Sequence, residues 1–311
     1  MDKFTAVFAA KCIIGRVIVP SNWSPLWDRL RRPKIRGKSA DDAQLKLYGQ
    51  LLPNGFLNYG YSDDPTRPPE RMCVYDIEQA QLRYATRLAD LIVDRETGIL
   101  DSGCGMGGLT AVLLQRGLKP TALTPNRTQI KHIRSTYPQV PLLEGKLEQI
   151  PLPESRHAFG TIITSESFQY VNLAQGLAVI DQILRPGGRW ILCDYFRSAT
   201  STHRSGHQWS EFTTALQQNG WRITHHEDIT ANVLPTIAFV HMWAQRVGLP
   251  VAQFATDRLE RKRPALHYVL QDLILKAREQ LQGHLDIVDP IIFAREKKYL
   301  TLVIERIRDA R

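Results

Sequence analysis

Four glycines within six positions constrain this chain more than any other feature. The segment reads Ile99-Leu100-Asp101-Ser102-Gly103-Cys104-Gly105-Met106-Gly107-Gly108-Leu109-Thr110. Apolar residues precede the glycines and resume at helical spacing after them, a pattern that predicts a strand, a tight turn and a helix. Glycine adopts positive φ and lets a ligand approach the backbone, and the helix N-terminus favours an anionic group. The segment therefore predicts a nucleotide-like ligand.

The second predicted strand distinguishes between two classes of nucleotide site. A dinucleotide site requires an acidic residue about 20 positions after the glycines, where it binds a ribose. This chain has Thr121-Ala122-Leu123-Thr124-Pro125-Asn126 at that place, without a carboxylate. The sequence therefore argues against a nicotinamide dinucleotide.

Three motifs resemble those of class I S-adenosylmethionine-dependent methyltransferases. Residues 101–107 resemble the Asp/Glu-x-Gly-x-Gly-x-Gly motif, and residues 184–192 resemble the Leu-Lys-Pro-Gly-Gly turn before the fifth strand. Residues 124–129, Thr-Pro-Asn-Arg-Thr-Gln, resemble the Thr-Leu-Ser-x-x-Gln turn of one branch. That branch contains cyclopropane fatty acid synthases and lipid, tocopherol and sarcosine-dimethylglycine methyltransferases. The resemblance spans roughly residues 75–230 and implies S-adenosylmethionine as the cofactor.

Alternating strand and helix patterns predict an α/β fold with a doubly wound, Rossmann-like sheet. The resemblance adds a seventh, antiparallel strand that follows a helical lid inserted after strand six. The predicted strands lie at about 97–101, 119–124, 140–144, 159–165, 189–195, 221–229 and 296–304. The predicted parts are an N-terminal helical cap and closing loop at 1–74, the cofactor-binding core at 75–230, the lid at 231–295 and the final strand at 296–311.

The resemblance also implies which residues contact the cofactor. Asp101 and the turn glycines would hold the methionine part, Thr124 and Gln129 the ribose, and the loop after the third strand the adenine. That loop departs from the family because it has a lysine, which cannot accept a hydrogen bond, at the place of the usual Asp. The expected cofactor-binding residues are Tyr59, Asp101, Gly103, Gly105, Gly107, Thr124, Pro125, Gln129, Leu147 and Ser165.

The aromatic loop at 54–61 resembles the segment that precedes the cofactor domain in this branch and closes over the methionine end. Tyr59 lies in this loop. An aromatic face attracts a cation such as a sulfonium, so Tyr59 is a candidate contact for the cofactor. Ordinary packing of its ring is the alternative.

Two residues near the ends of strands four and five are candidates for catalysis. Asp194 ends the fifth predicted strand, where a carboxylate in a dry cleft acquires a raised pKa suited to accepting a proton. Its alternative role is a turn cap. Tyr170 follows the fourth strand, and His203 and His207 lie in the loop after the fifth, where a histidine is more often a surface residue than a base.

The segment around Tyr170 also argues against one reaction. By resemblance, Gln169 stands where cyclopropane synthases carry a glutamate that binds bicarbonate, so cyclopropanation is not expected. The histidines found there in sugar and tocopherol methyltransferases are absent too. A site without the usual base favours an acceptor that is already nucleophilic.

The N-terminal region combines an apolar run at 4–19 with Trp23, Trp27 and six cations within residues 29–38. The run is too short and too charged to span a bilayer, and no small-residue cleavage site follows it. A cap helix with a solvated basic tail is one interpretation. Peripheral contact of residues 4–38 with an anionic membrane is the second, and contact with nucleic acid is the least favoured.

Composition sets the broad class. The chain has 311 residues, 43% of them apolar and 23% charged, with a net charge of +9, which is typical of a globular protein. Its four cysteines have no metal-ligand spacing, so we expect no metal site, a reducing compartment and a cytoplasmic location.

The sequence thus favours an S-adenosylmethionine-dependent methyltransferase that acts on O, N or C of a small, lipophilic metabolite such as a fatty acid, a quinol or a hydrophobic amine. A lipophilic acceptor is supported by the apolar residues of the lid, which are Val233, Leu234, Ile237, Phe239, Met242 and Trp243. The alternative is an RNA or protein methyltransferase that uses the basic N-terminal run. A cofactor-binding scaffold without activity is a third interpretation, and the intact glycine turn argues against it.

Overall fold

The computed structural model describes residues 54–201 and 204–307, all of which belong to one compact unit, Leu51–Arg311. The predicted membrane contact at residues 4–38 lies outside the described residues, as do Cys12 and His203. Those expectations stay predictions.

Seven strands form one mixed sheet. They are β1 Gly98–Ser102, β2 Pro120–Thr124, β3 Leu142–Glu144, β4 Phe159–Ser165, β5 Leu184–Arg197, β6 Trp221–Asp228 and β7 Lys297–Arg306. The strand order is β3-β2-β1-β4-β5-β7-β6. Strands β1 to β5 pair in parallel with their neighbours, whereas β7 pairs antiparallel with both β5 and β6. This confirms the predicted Rossmann-like sheet with an antiparallel last strand.

Helices cover both faces of this sheet. They are α1 Val74–Asp90, α2 Gly108–Gln115, α3 Arg127–Thr136, α4 Leu152–Ser155, α5 Leu173–Ile183, α6 Trp209–Gln218, α7 Thr230–Trp243, α8 Leu249–Lys262, α9 Pro264–Ile287 and α10 Pro290–Glu296. Short 3-10 turns lie at Pro69–Arg71, Leu147–Gln149 and Phe168–Tyr170, and a π-helical turn at Ala244–Gly248 joins α7 to α8.

Helix α8 was not predicted from the sequence. The Leu249-Pro250 pair at its start suggests a break, but proline is tolerated in the first turn of a helix. No described residue of α8 is buried, and its apolar residues are too few to form a core-facing stripe in the sequence. By contrast, the stripe that predicts α1 is confirmed, since Ile77, Tyr84 and Leu88 are buried.

The core lies in two layers, one on each side of the sheet. On one side, α1, α2 and α7 pack against β5 and β7 around residues such as Tyr84 and Ile191. On the other side, α5 and α6 pack around Trp190, whose indole N–H donates to Thr164 Oγ1 at 2.9 Å. Both layers leave the carboxyl ends of the parallel strands as the edge where a ligand binds in folds of this type.

The inserted helices α7 to α10 connect the end of β6 to the start of β7 at this carboxyl edge. The apolar residues of α7 serve mainly the core: Val233 and Ile237 are fully buried there, and Phe239 packs against Met72 and Ile77. Among the described helices, none combines the length and the apolar character needed to cross a bilayer.

Candidate active site at the carboxyl edge of the sheet

The glycine turn after β1 is bare backbone held in left-handed conformations. Gly103, Gly105 and Gly107 have φ of +84°, +57° and +87°. A Cβ on Gly103 would lie 2.3 Å from the Cβ of Ser167, whose hydroxyl donates to the Ser102 carbonyl at 2.7 Å. Only glycine therefore fits at 103, because the segment after β4 packs directly against the turn.

Gly105 has more open surroundings. A Cβ there would contact only the Leu57 side chain, at 3.1 Å. The closing loop reaches the turn a second time at Gly55, whose own Cβ would lie 3.0 Å from the Met106 carbonyl oxygen. The predicted closing loop thus lies against the glycine turn. A side chain at position 105 would fill the space between them.

Asp101 lies below this turn. It is 1% exposed, and the Thr110 hydroxyl donates to its Oδ2 at 2.7 Å. Burial raises the pKa of this carboxyl to about 6. The contact ties the end of β1 to helix α2, so Asp101 shapes the turn from inside, and its contact with the cofactor stays a prediction.

Thr124 and Gln129 meet at the end of β2. The Thr124 hydroxyl donates to Gln129 Oε1 at 2.5 Å and accepts from the Asn126 N–H at 3.2 Å. Asn126 caps α3 by accepting from two backbone N–H groups. The structure therefore brings the two predicted ribose contacts together, with Pro125 exposed between them.

The remaining cofactor candidates follow neighbouring strands. The Gly145 N–H donates to the Thr124 carbonyl at 3.2 Å, which brings the loop that carries Leu147 to the end of β2. Leu147 is buried. Ser165 ends β4, and its hydroxyl donates to Tyr84 Oη at 3.1 Å. Parallel pairing places these positions along one edge of the sheet, beside the glycine turn.

Glu166 is the site residue that the sequence did not single out. It has φ of +48°, a conformation that costs a residue with a Cβ about 1 kcal/mol and is concentrated at functional sites. Its Oε1 accepts from the Tyr59 N–H at 2.7 Å and from the Tyr299 hydroxyl at 2.5 Å. Burial raises the pKa of this carboxyl to about 7. Glu166 therefore holds the closing loop and can exist with or without its proton near neutral pH.

Tyr59 and Tyr299, which donate to this carboxylate, belong to a group of four packed aromatic rings. Tyr59 lies 6.1 Å from Phe293 and 6.3 Å from Tyr299 between ring centroids, and Tyr195 lies 5.9 Å from Phe293. We call Tyr59, Tyr195, Phe293 and Tyr299 the aromatic cluster. Burial raises the pKa of Tyr299, so its hydroxyl stays protonated and can donate to Glu166.

Lys297 closes the far side of the aromatic cluster. Its ammonium lies 4.2 Å from the centroid of the Tyr195 ring and 3.2 Å from Ser205 Oγ. Burial lowers the pKa of this amine to about 8. The Glu166 carboxylate and the Lys297 ammonium group therefore lie at opposite ends of a packed aromatic cluster, in which Tyr195, Phe293 and Tyr299 are buried and Tyr59 is half-buried.

Asp194 and Tyr170, the candidates for catalysis, occupy different surroundings from Glu166. Asp194 is 2% exposed and accepts from the Gln169 N–H at 3.0 Å and from its neighbour's N–H at 2.9 Å. Burial raises the pKa of this carboxyl to about 8. It anchors the turn after β4, which is the alternative role expected from the sequence. Tyr170 is 79% exposed.

His207 supports the same turn. Its Nε2 lies 3.0 Å from the Phe168 carbonyl oxygen, and burial lowers the pKa of the ring. It therefore holds the 168–170 turn and is not a loose surface residue. Within residues 54–201 and 204–307, no group of three or more His, Cys, Asp or Glu side chains is arranged to hold a metal ion.

Comparison with known proteins agrees with this geometry. Residues 100–192 match the methyltransferase domain family. An uncharacterized methyltransferase of Mycobacterium tuberculosis (strain H37Rv) is 33% identical over 91 residues, which are 29% of this chain and 37% of that protein. A fatty-acid O-methyltransferase of Mycolicibacterium smegmatis is 30% identical over 148 residues, which are 45% of this chain and 52% of that protein. The chain thus spans about half or less of the length of these relatives.

The fold is shared with solved structures. Geranyl diphosphate C-methyltransferase from Streptomyces coelicolor, solved with Mg²⁺, geranyl diphosphate and S-adenosyl-L-homocysteine, superposes with a TM-score of 0.59. The sequences are 15% identical, and the match covers 83% of this chain and 92% of that one. At this identity the likeness concerns the fold.

Proposed function

We propose, from the premise that this chain carries a methyltransferase domain of the class I fold, that it transfers a methyl group from S-adenosylmethionine to a small, lipophilic acceptor. One observation carries the proposal: the glycine turn, the Glu166 carboxylate and the aromatic cluster lie along the same carboxyl edge of the sheet. The turn suits the cofactor, and the other two suit the acceptor.

The described residues fit the cofactor. Any Cβ at position 105 would fill the open space beside the Gly105 backbone. Helix α2 begins at Gly108, and its N-terminus favours a carboxylate such as that of the methionine part. Gln129 and Leu147 lie on the side where the ribose and the adenine would bind. S-adenosylmethionine, when bound, supplies an electrophilic methyl group on a cationic sulfur.

Glu166 is the residue that we assign to the proton. Its pKa of about 7 is close to the working pH, which suits a general base for a hydroxyl or an amine. Asp194 is less suitable as a base, because each of its carboxylate oxygens accepts a hydrogen bond from a backbone N–H and only 2% of the residue is exposed. The Tyr299 hydroxyl, 2.5 Å away, orients the Glu166 carboxylate.

The aromatic cluster supports a lipophilic acceptor. Tyr195, Phe293 and Tyr299 are buried, so the half-buried Tyr59 of the closing loop is the ring of the cluster that an acceptor can contact. An aromatic ring provides apolar surface and excludes water, which aligns the acceptor and prevents side reactions. The M. smegmatis relative is named for a fatty acid as its acceptor. We therefore expect a fatty acid, a quinol or a hydrophobic amine to be the substrate.

A methyl-transfer screen over these three classes tests the proposal. Purified protein is incubated with labelled S-adenosylmethionine and each acceptor, with tRNA and a protein extract as parallel substrates. Turnover of one lipophilic class is expected. Turnover of RNA or protein alone would favour the alternative function that the basic run at 29–38 suggests.

The role of Glu166 is tested with Glu166→Gln on the best acceptor. For the wild type, kcat/KM should rise with pH through a midpoint near 7, since the base must be deprotonated. The kcat of the variant should be about 10²–10⁴-fold lower, and its kcat/KM should no longer show a midpoint near pH 7. Glu154→Gln, an exposed position, is the matched control. An unchanged pH profile in Glu166→Gln would remove this residue from the proton transfer.

A further inference from the structure

Helix α8 exposes apolar side chains that the fold does not use. Val251 is 61% exposed and Phe254 is 64% exposed, and no described residue of the helix is buried. We propose that α8 and the turn that joins it to α9 dock on the surface of an anionic lipid bilayer. This inference goes beyond the proposed function, because it concerns a surface outside the residues assigned to the cofactor and the acceptor.

The two large apolar residues lie on one side of α8, together with two of its arginines. Spacings of three, four and three residues place Val251, Phe254, Arg258 and Arg261 within one face of a helix. The contact with α9 is on a different side, where Arg278 donates to the Thr256 hydroxyl at 3.1 Å. The face that carries Val251 and Phe254 is therefore directed away from the partner helix.

Cations follow the apolar residues toward the tip of the hairpin. The end of α8 carries four cations, which are Arg258, Arg261, Lys262 and Arg263. The same segment, 257–263, contains two acidic residues. Among the described residues, none of these four cations forms an ion pair with a carboxylate. The tip thus carries positive charge that is available to an anionic surface.

This combination matches the headgroup region of a bilayer. An interfacial helix buries a short apolar face at the boundary of headgroups and acyl chains, while cations beside it contact lipid phosphates. Exposed aromatic residues, which prefer that boundary, flank the tip at Tyr268 (78% exposed) and further back at Trp243 (49% exposed). A protein partner would not require cations at one end of the face that carries Val251 and Phe254.

Vesicle flotation of the full chain tests the proposal. Mixed phosphatidylcholine and phosphatidylglycerol vesicles should bind the wild type, and pure phosphatidylcholine vesicles should bind it less. Phe254→Ser should weaken partitioning roughly tenfold through lost apolar burial. Arg258→Ala and Arg261→Ala should each weaken it about fivefold at low salt and less at high salt.

Matched variants at the opposite edge of the sheet are the controls. Val93→Ser changes an apolar residue that is 67% exposed, and Lys119→Ala with Arg156→Ala removes two exposed charges. The Val93→Ser variant and the Lys119→Ala/Arg156→Ala double variant should both bind as the wild type does. Calorimetric titration with S-adenosylmethionine on each variant should give unchanged binding, which separates this result from a failure of the proposed function.

Three outcomes would overturn the proposal. The wild type could stay in the unbound fraction with both kinds of vesicle. Phe254→Ser could bind as tightly as Val93→Ser, which would assign any membrane contact to another part of the chain. Finally, Phe254→Ser could disperse a dimer seen by analytical ultracentrifugation without changing flotation, which would make the face of α8 an interface between copies of the chain.

Discussion

The replacement of Glu166 by glutamine should change how stability depends on pH. Burial raises the pKa of this carboxyl from its usual 4.5 to about 7. Between these values the folded protein holds a proton that the unfolded chain releases, so the free energy of unfolding falls as pH rises. A shift of this size corresponds to about 3 kcal/mol across the window, at about 1.4 kcal/mol per pKa unit.

Glu166→Gln removes this titration while keeping an oxygen that accepts from the Tyr59 N–H and the Tyr299 hydroxyl. Asp101 titrates in the same direction in both proteins, whereas the Glu166 charge contributes to the raised pKa of Asp194, so the difference between the proteins reports position 166 together with its coupling to Asp194. The variant should therefore lose about 2.5 kcal/mol less than the wild type between about pH 5 and pH 8, since pH 5 already lies within the window.

Urea unfolding at the two pH values measures this difference, with the exposed Glu154→Gln as the control that should follow the wild type. The reasoning would be refuted if Glu166→Gln and the wild type lost the same free energy over this range. That result would mean that the carboxyl at 166 is solvated in the folded protein.

Three further changes test the contacts around the site. Gly103→Ala should destabilise the fold by about 2–4 kcal/mol in urea unfolding, because the methyl group meets Ser167 2.3 Å away and the backbone is left-handed. Asp194→Ala should cost about 2–4 kcal/mol, because the Gln169 N–H in the turn after β4 and the Tyr195 N–H in β5 lose their acceptor; a loss under about 0.5 kcal/mol would contradict its anchoring role. Tyr299→Phe removes the hydroxyl that donates to Glu166, so the pH midpoint of kcat/KM should move upward; an unchanged or lower midpoint would contradict that contact.

Much of the fold was predictable because its signals are local. The glycine turn and the strand periodicity indicate the parallel sheet, and the apolar stripe of α1 indicates which face packs. Helix α8 buries none of its described residues, and its few apolar residues form no core-facing stripe. The apolar residues expected to line a substrate lid, such as Val233 and Ile237, proved to pack in the core, since hydropathy does not say which surface a residue meets.

The residues of the candidate site also differ in whether a local signal in the sequence indicates them. Gly103 and the contact between Thr124 and Gln129 arise within a short motif, so a motif can indicate them. The surroundings of Glu166 depend on Tyr59 and Tyr299, which lie 107 and 133 residues away along the chain. The available signal was a carboxylate directly after the last residue of β4, at the edge where ligands bind.

Titration calorimetry with S-adenosylmethionine and its demethylated product tests the central claim most directly. The account predicts 1:1 binding to the wild type, loss of binding in Gly105→Val, where the side chain fills the space beside Leu57, and unchanged binding in Gly283→Val, where the space is open. Binding of a nicotinamide dinucleotide, with neither S-adenosylmethionine nor its product bound, would contradict it.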